Sequence, residues 1–544
     1  MLLARLADAS AALAATRSRL AKRAVIAEVV SAADPTEMAV VVSHLSGALR
    51  QRRTGVGWAA LGSLPDPAAE PGLTVAEVDD TFERIAALAG PGSAGRRADQ
   101  VREVFARATA AEQPFLRALV FGEVRQGALD AVVQDGVAQA FGVPVAAVRR
   151  ASMLLGSTPA VAAMLAAHRG DPDAGLADLA ALTIRLGLPV RPMLAASAPD
   201  AVGAVAKSGL PAVVDTKLDG IRVQVHHGPD GTALFTRSLD EITDRLPEIV
   251  EAVQALPAVS LVLDGEVVGV GGDGRPLPFQ VIASRTGSSL DPAAGRRQTP
   301  LRLFCFDVLH LDGEDLIDRP LSERDALLRR LIPADLLVPR TVADTVEQVQ
   351  EAFDAAVAGG YEGAVVKDPA APYAAGRRDS GWVKVKPRHT LDLAVIGAEW
   401  GYGRRQGKLS NLHLAARGAD GELVMLGKTF KGLTDALLAW QTEEFPARES
   451  RRTKAAVFID PPLVAEIAVD GVQRSTRYPG GVALRFARVL RYREDKTPDE
   501  IDTLATVLAL HPVTDEGTDE GTDEGTDEGA AGTDGDATDR PPAG

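Results

Sequence analysis

Apolar residues follow two different rhythms along this chain, and the change of rhythm divides it. Up to about residue 185 they recur every three or four positions. "MAVVVSHLSGALRQRR", "VAEVDDTFERIAALAG", "AEQPFLRALVFGEVRQGALDAVVQDGVAQAFG" and "PAVAAMLAAHRG" each carry such a stripe, the mark of helices with one buried face. Gly and Pro punctuate the stripes where helices should stop. This predicts an all-α domain over residues 1–188. Two prolines, Pro189 and Pro192, mark a linker, and from there the pattern shifts towards alternation. "PAVVDTKLDGIRVQVHH", "GTALFTRSL", "SLVLDGEVVGV", "LRLFCFDVLHLDG", "GYEGAVVKDP" and "GWVKVKP" read as strands. Helical stretches such as "EITDRLPEIVEAVQAL" and "ERDALLRRLI" lie between them. The expectation is an α+β domain with antiparallel sheets over residues 189–387. Five further short strands with one helix among them, "TDALLAWQTEEF", suit a small all-β Greek-key barrel over residues 388–510.

Composition narrows the classes. With 544 residues the chain is too long for a single core. No apolar run approaches the roughly 18 residues of a membrane-spanning helix. The N-terminal stretch "MLLARLADASAALAATRSRLAKR" has arginines within it, as an amphipathic helix does and a signal peptide does not. Cys305 is the only cysteine, so intramolecular disulfides and cysteine-rich zinc sites are excluded. On an apolar strand it reads as a small buried hydrophobe. Together these features favour the cytoplasm.

The net charge of −15 at first argues against a nucleic-acid partner. From Thr514, however, the tail repeats Thr-Asp-Glu-Gly and holds 11 acidic residues and one arginine, which leaves −5 for residues 1–513. The tail has no apolar residues to anchor a core, and residues 511–544 are expected to be disordered. A nearly neutral body with local arginine clusters can bind a phosphate backbone. Arg50, Arg52, Arg53, Arg96, Arg97, Arg149 and Arg150 recur on the helical region. Taken alone they read as a solvated helical face.

The chemistry concentrates in "VVDTKLDGIRVQVH", where Lys217, Asp219, Gly220 and Arg222 form a Lys-x-Asp-Gly-x-Arg pattern. Asp-Gly fits a turn between strands, which would leave Lys217 at a sheet edge facing a cavity. A lysine amine is a nucleophile once deprotonated. Its ordinary pKa of about 10.4 keeps it charged at neutral pH, and nearby cations would lower that value. The short pattern alone also fits an ordinary hairpin with exposed charges.

This motif resembles that of the covalent nucleotidyltransferases: DNA ligases, RNA ligases and capping enzymes. The chain looks like an ATP-dependent DNA ligase of the bacterial three-domain type over nearly all of residues 1–510. The motifs that carry this resemblance stand in the family's order. In "KLDGIR", Lys217 matches the lysine that becomes AMP-linked, and Arg222 matches an arginine that contacts the nucleotide. Asp215 stands where most relatives carry Glu, at a position that helps hold adenine. "TRSLDEIT" gives Arg237 for the nucleotide and 5′-phosphate. "LDGEVVG" gives Glu266 for the ribose and the metal. Phe306 of "FCFDVLHLDG" matches the aromatic that stacks on adenine. "EGAVVKD" gives Glu362 for the metal, with Lys367 on the same strand. "GRRDSGWVKVKP" gives Arg378, Lys384 and Lys386 for phosphate and adenylate. "LRFARVLRYREDK" ends in Arg493, Asp495 and Lys496, matched to the orientation of pyrophosphate. Relatives usually carry proline at Ala487. "LVFGEVRQGAL" resembles a stretch of the family's DNA-binding domain.

The resemblance implies a nucleotidyltransferase domain with ATP-grasp-like antiparallel sheets, followed by an OB-fold barrel. It implies ATP as co-substrate, Mg²⁺ on Glu266 and Glu362, and nicked double-stranded DNA as the partner. The enzyme would be a monomer that encircles the duplex, cytoplasmic and nucleoid-associated, with the barrel hinged near Pro387–Arg388. The arginine clusters would then grip phosphates. An RNA ligase or a capping enzyme would generally lack the large helical domain. A silent nick-binding protein would have no need of Lys217, Glu266, Glu362 and Lys384. NAD-dependent ligases typically carry a four-cysteine zinc module, which one cysteine cannot build.

Overall fold

The computed structural model describes residues 1–510 except 52, 128–129, 273–274, 278, 288–290, 375–377 and 403–404. The acidic tail and Arg52 lie outside the described residues. The chain divides into two units, Met1–His389 and Thr390–Gly544. Among the described residues no helix is long and apolar enough to cross a membrane.

The stretches with three-to-four spacing fold as helices whose ends the sequence specifies. Thr74 and Glu77 form a reciprocal capping box at the start of helix Val75–Ala87, satisfying two backbone donors that would otherwise be orphaned. That helix buries Val78, Phe82 and Ile85, one stripe of it. Each such side chain contributes roughly 1.5–3 kcal/mol by leaving water. The long stretch from Ala111 breaks into helices Glu112–Val120 and Asp130–Phe141. Gly122 and Gly127, both at positive φ, lie in the intervening turn. These helices share one apolar core with Leu3–Ala15, Arg19–Ala32 and Met38–Leu45.

Among the described residues of the first unit ten strands follow: β1 Leu194–Ala198, β2 Ala212–Lys217, β3 Ile221–Gly228, β4 Gly231–Thr236, β5 Leu261–Gly269, β6 Leu301–Leu311, β7 Glu314–Asp315, β8 Arg340–Ala343, β9 Gly363–Lys367 and β10 Arg378–Val385. They form two five-stranded sheets, ordered β1-β10-β9-β2-β8 and β4-β3-β5-β6-β7. Pairing is antiparallel except where β1 meets β10.

The Asp-Gly turn is therefore not a hairpin. It joins β2 of one sheet to β3 of the other. Gly220 is not among the glycines at positive φ, as a two-residue hairpin of the Asp-Gly type would require. Its need for glycine is one of space: a Cβ there would meet the Val267 carbonyl oxygen at 2.3 Å. Nor is β2 an edge strand, since β9 and β8 flank it.

Alternation sorts the first sheet into two faces. Val214, Ala364, Val366, Val383 and Val385 pack with Ala204 and Val349 in one apolar cluster. These two come from helices Ala201–Ser208 and Val346–Ala358. By register the opposite face carries Asp215 and Lys217, Val365 and Lys367, and Trp382 and Lys384. In the second sheet Val223, Leu263, Val267 and Leu303 join a core with Ile249 and Val253. Arg222, Asp264 and Glu266 alternate with those residues, and the two polar faces meet.

The segment that leads from the helices into β1 is strapped down rather than loose. The Gln224 side chain imitates a strand towards Val190, accepting from its N–H at 2.7 Å and donating to its carbonyl at 3.1 Å. The Ile184 N–H donates to Asp315 at 2.8 Å, and the Gly187 N–H to Nδ1 of His226 at 3.2 Å. The Arg191 N–H reaches the Met153 carbonyl at 2.9 Å.

In the second unit the strands are β11 His389–Trp400, β12 Leu409–Arg417, β13 Leu423–Thr429, β14 Glu449–Arg452, β15 Ala456–Val469, β16 Gly471–Arg474, β17 Val482–Arg485 and β18 Arg488–Tyr492. The order β13-β12-β11-β15-β14, with β18 on β15, surrounds a core that includes Phe445 of helix Asp435–Ala447. Five strands were expected. The last two runs each divide, into β15/β16 and β17/β18, and the exposed β14 has no apolar alternation to announce it.

Candidate active site

Lys217 is the last residue of β2, paired with Gly363 of β9. The Glu362 N–H donates to the Lys217 carbonyl at 3.0 Å, and the Glu362 carboxylate forms ion pairs with both Lys217 and Lys386. Gly363 permits this approach. It adopts φ +131°, and a Cβ on it would lie 2.3 Å from the Val385 carbonyl oxygen. Burial works against the charge on Glu362, but Lys217 and Lys386 outweigh it and hold its carboxyl below the usual range. The Lys384 ammonium is shifted down, first by burial and then by Lys386, Lys217 and Arg237. Arg237 stands in the exposed turn after β4. Burial pushes Glu266 up to about 7, against the pull of Lys217 and Arg222. The site thus gathers Lys217, Lys384 and Lys386 around two carboxylates. That arrangement can bind and neutralise a phosphate chain.

Deeper in the cleft the charges are locked. The Arg222 guanidinium donates from Nε and Nη2 to both oxygens of Asp264, at 3.0 and 2.7 Å, and from Nη1 to the Met193 carbonyl at 2.6 Å. It lies 5.4 Å from the Phe306 ring centroid and 5.5 Å from that of Trp382, within cation–π range. Asp215 is buried between Arg340, with one bond of 2.7 Å, and Lys367 at 2.5 Å. Burial opposes its charge, yet these two cations keep its carboxyl low. Its side chain is spent inside the protein, so anything it offers a base comes from its backbone. Lys367 also sits 4.8 Å from the Phe306 ring and 4.2 Å from Trp382. The Arg340 guanidinium donates to the Phe306 carbonyl at 2.8 Å.

Sequence reasoning passed over Asp264, Tyr373, Trp382 and Arg340. Alternation could have found two of them. Asp264 lies two residues before Glu266, and Trp382 two before Lys384, so each shares its neighbour's face. Tyr373, in a loop, and Arg340, at the start of a four-residue strand, carry no periodic signal.

Other expected site residues stand elsewhere. Arg378 opens β10, and its side chain lies outside the described residues. Arg493, Asp495 and Lys496 belong to the second unit. Arg493 donates to Asp495 at 2.8 and 2.7 Å and to Asp392 at 3.1 and 3.0 Å, while Lys496 reaches Asp392 at 2.7 Å. The arginines of the helical region are largely occupied. Arg50 pairs with Asp79 at 2.6 Å, Arg149 with Asp135 at 2.6 Å and Arg150 with Asp318 at 2.9 Å. Arg96 and Arg97 donate to backbone carbonyls. Arg53 is exposed, as are Arg50 and Arg96.

The two sheets thus bring lysines, two carboxylates and an arginine–aromatic cluster together, and comparison with known proteins shows the family. The family described as "ATP dependent DNA ligase domain" matches residues 192–386. "DNA ligase N terminus" matches 60–138, and "ATP dependent DNA ligase C terminal region" matches 405–496. A "Probable DNA ligase" of Nocardioides sp. is 56% identical over 514 residues, covering 93% of this chain and 98% of the relative. One from Streptomyces griseus is 54% identical over 515 residues, covering 94% and 99%. The solved structure named Pmar-Lig_PreS3 shares the fold at a TM-score of 0.60 and 19% identity, covering 90% of this chain and 99% of that one. The chain belongs to the ATP-dependent DNA ligases. It is an enzyme, with ATP as co-substrate and nicked DNA as substrate.

Proposed function

We propose that Lys217 carries the adenylate. The observation that supports this most is the meeting of Lys217, Glu362, Lys384 and Lys386 at one end of the cleft. In the first step the Lys217 amine, having given up its proton, attacks the α-phosphorus of ATP. A nitrogen–phosphorus bond forms, the bond to the β-phosphate oxygen breaks, and pyrophosphate leaves. Lys384 and Lys386 oppose the negative charge that grows on the α-phosphate. Arg237 adds positive charge at the same mouth. In the second step a 5′-phosphate oxygen at the nick takes the adenylate and the nitrogen–phosphorus bond breaks. In the third, the 3′-hydroxyl attacks the 5′-phosphorus, closing the strand and expelling AMP.

The floor holds the nucleoside. Phe306 supplies a ring for adenine, the Asp215 backbone its edge, and Arg222 and Glu266 the ribose and phosphate side. Arg222 has five N–H donors, and its bonds to Asp264, Met193 and Tyr373 use four. One Nη1 hydrogen is left for a ligand. Arg378 joins the phosphate contacts. Arg493, Asp495 and Lys496 orient pyrophosphate, exchanging their present bonds to do so. The division of the chain after His389 supports a hinge near Pro387–Arg388. A monomer would close around the duplex in this way, in the cytoplasm and on the nucleoid.

Glu266 and Glu362 fit Mg²⁺. Both are hard oxygen donors, and the half-buried Glu266 carboxylate gains from a cation beside it. Among the described residues no group of three or more acidic, histidine or cysteine side chains gathers to hold a metal alone. Two carboxylates suffice when substrate phosphates and water complete the shell. Bound there, Mg²⁺ would neutralise charge on the α-phosphate.

Sealing of a nicked duplex tests this reading. Wild type should seal with ATP and not with GTP. Lys217→Ala should fail with ATP, yet still close a nick that already bears the 5′-adenylate, because the third step uses no amine. Normal sealing by Lys217→Ala would overturn the assignment.

A further inference from the structure

The Tyr373 hydroxyl stands at the junction of the strap and the nucleotide floor. It is buried, with 2% of the residue exposed, and every hydrogen-bonding capacity it has is used. It donates to Oδ2 of Asp264 at 2.7 Å. It accepts from the Met193 N–H at 3.0 Å and, more weakly, from Nη2 of Arg222 at 3.4 Å. Asp264 holds Arg222 in a two-pronged bond, and the Met193 carbonyl takes a third Arg222 hydrogen. The ring of Tyr373 packs edge-on to Trp382 with centroids 5.9 Å apart, and Trp382 packs likewise on Phe306 at 5.8 Å.

We propose that Tyr373 is a positioning residue: its hydroxyl ties Asp264 and the Met193 backbone into one frame that fixes Arg222 beside Phe306 for the incoming nucleotide. The physical reason is the shortage of alternatives. A guanidinium gripped by Asp264 alone can still pivot with the carboxylate. The bond from Tyr373 orients that carboxylate, and Met193 stops the other end of the fork. Without the hydroxyl, the buried Met193 N–H loses its acceptor and one Asp264 oxygen loses a donor. Buried polar groups stripped of partners rearrange to find others. The whole frame then shifts by the small distances that matter to a bidentate site.

This inference rests on the nucleotide role of Arg222 given above, and a double-mutant cycle separates the two. The readout is KM for ATP in self-adenylylation by the full-length chain, beside the closing of a pre-adenylylated nick. Tyr373→Phe keeps the ring and should raise KM for ATP on the order of ten-fold, as loss of a bond in a charged network does. In the Arg222→Ala background the same change should add little, because its effect passes through Arg222. An equal factor in both backgrounds would mean a merely structural role and would overturn the proposal, as would no effect of Tyr373→Phe beside an impaired Arg222→Ala. An unchanged KM in Arg222→Ala would overturn the reading of Arg222 and this proposal with it. Should Tyr373→Phe fail to fold, Asp264→Asn probes the same frame with the same criteria.

Discussion

At the scale of single residues, the unit that carries the active site buries titratable groups whose charge the fold sets. His44 is fully buried, both ring nitrogens lack a hydrogen-bond partner, and burial pushes its pKa down to about 4, with Asp79 and Arg50 its charged neighbours. His226 is also shifted to about 4, first by burial and then by His310. Its Nδ1 accepts the Gly187 N–H and its Nε2 donates to Gln224, so only the neutral ring fits. The unfolded chain binds protons at both from about pH 6.5 downward while the fold refuses them until about 4, so stability rises with pH across that window. Glu266 acts in the opposite sense. Its raised pKa gives stability below about 4.5 that is lost as pH rises through about 7. We predict that wild type loses more stability between pH 7 and pH 5 than His44→Leu, by on the order of 2 kcal/mol. Urea midpoints at the two pH values measure this, and identical shifts would contradict it. The cluster around Lys217, with Glu266, Glu362, Lys384 and Lys386, was legible because its members sit in short motifs with strong alternation. Tyr373 and Arg340 were not, since their roles come from where a loop and a short strand land.

At the scale of elements, the sequence showed where strands run but not which sheet each joins. "TKLDGIR" reads as a hairpin because Asp-Gly is the strongest local hairpin signal. The strand pairing shows instead a crossing between sheets, with Gly220 packed against the Val267 carbonyl. The segment around Pro189 and Pro192 likewise reads as a linker, its polar backbone apparently free. In the fold the amides of Ile184, Gly187, Val190, Arg191 and Met193 are all bonded. Side chains from β3, β7 and a loop supply most of the acceptors, and no local pattern announces such long-range partners. Hydrogen exchange should therefore find Val190 and Met193 protected to the level of neighbouring strands. Exchange at the rate of an open loop would refute the strap.

At the scale of the whole molecule, the chain divides into two units after His389. The helical region and the catalytic sheets share a cluster in which Met153, Leu154 and Ile184 pack with Val262, Ile317 and Trp382. A composition shift marks a change of architecture, and architecture can change inside one packed body. The sequence could not reveal this because the packing joins residues far apart along the chain. The account's central claim is covalent, so its most direct test is the mass of the protein after incubation with ATP and Mg²⁺ in the absence of DNA. The prediction is an increment of one AMP, mapped by peptide sequencing to Lys217 and discharged when nicked duplex is added. A protein that gains no such mass, or carries it on another side chain, would contradict the account.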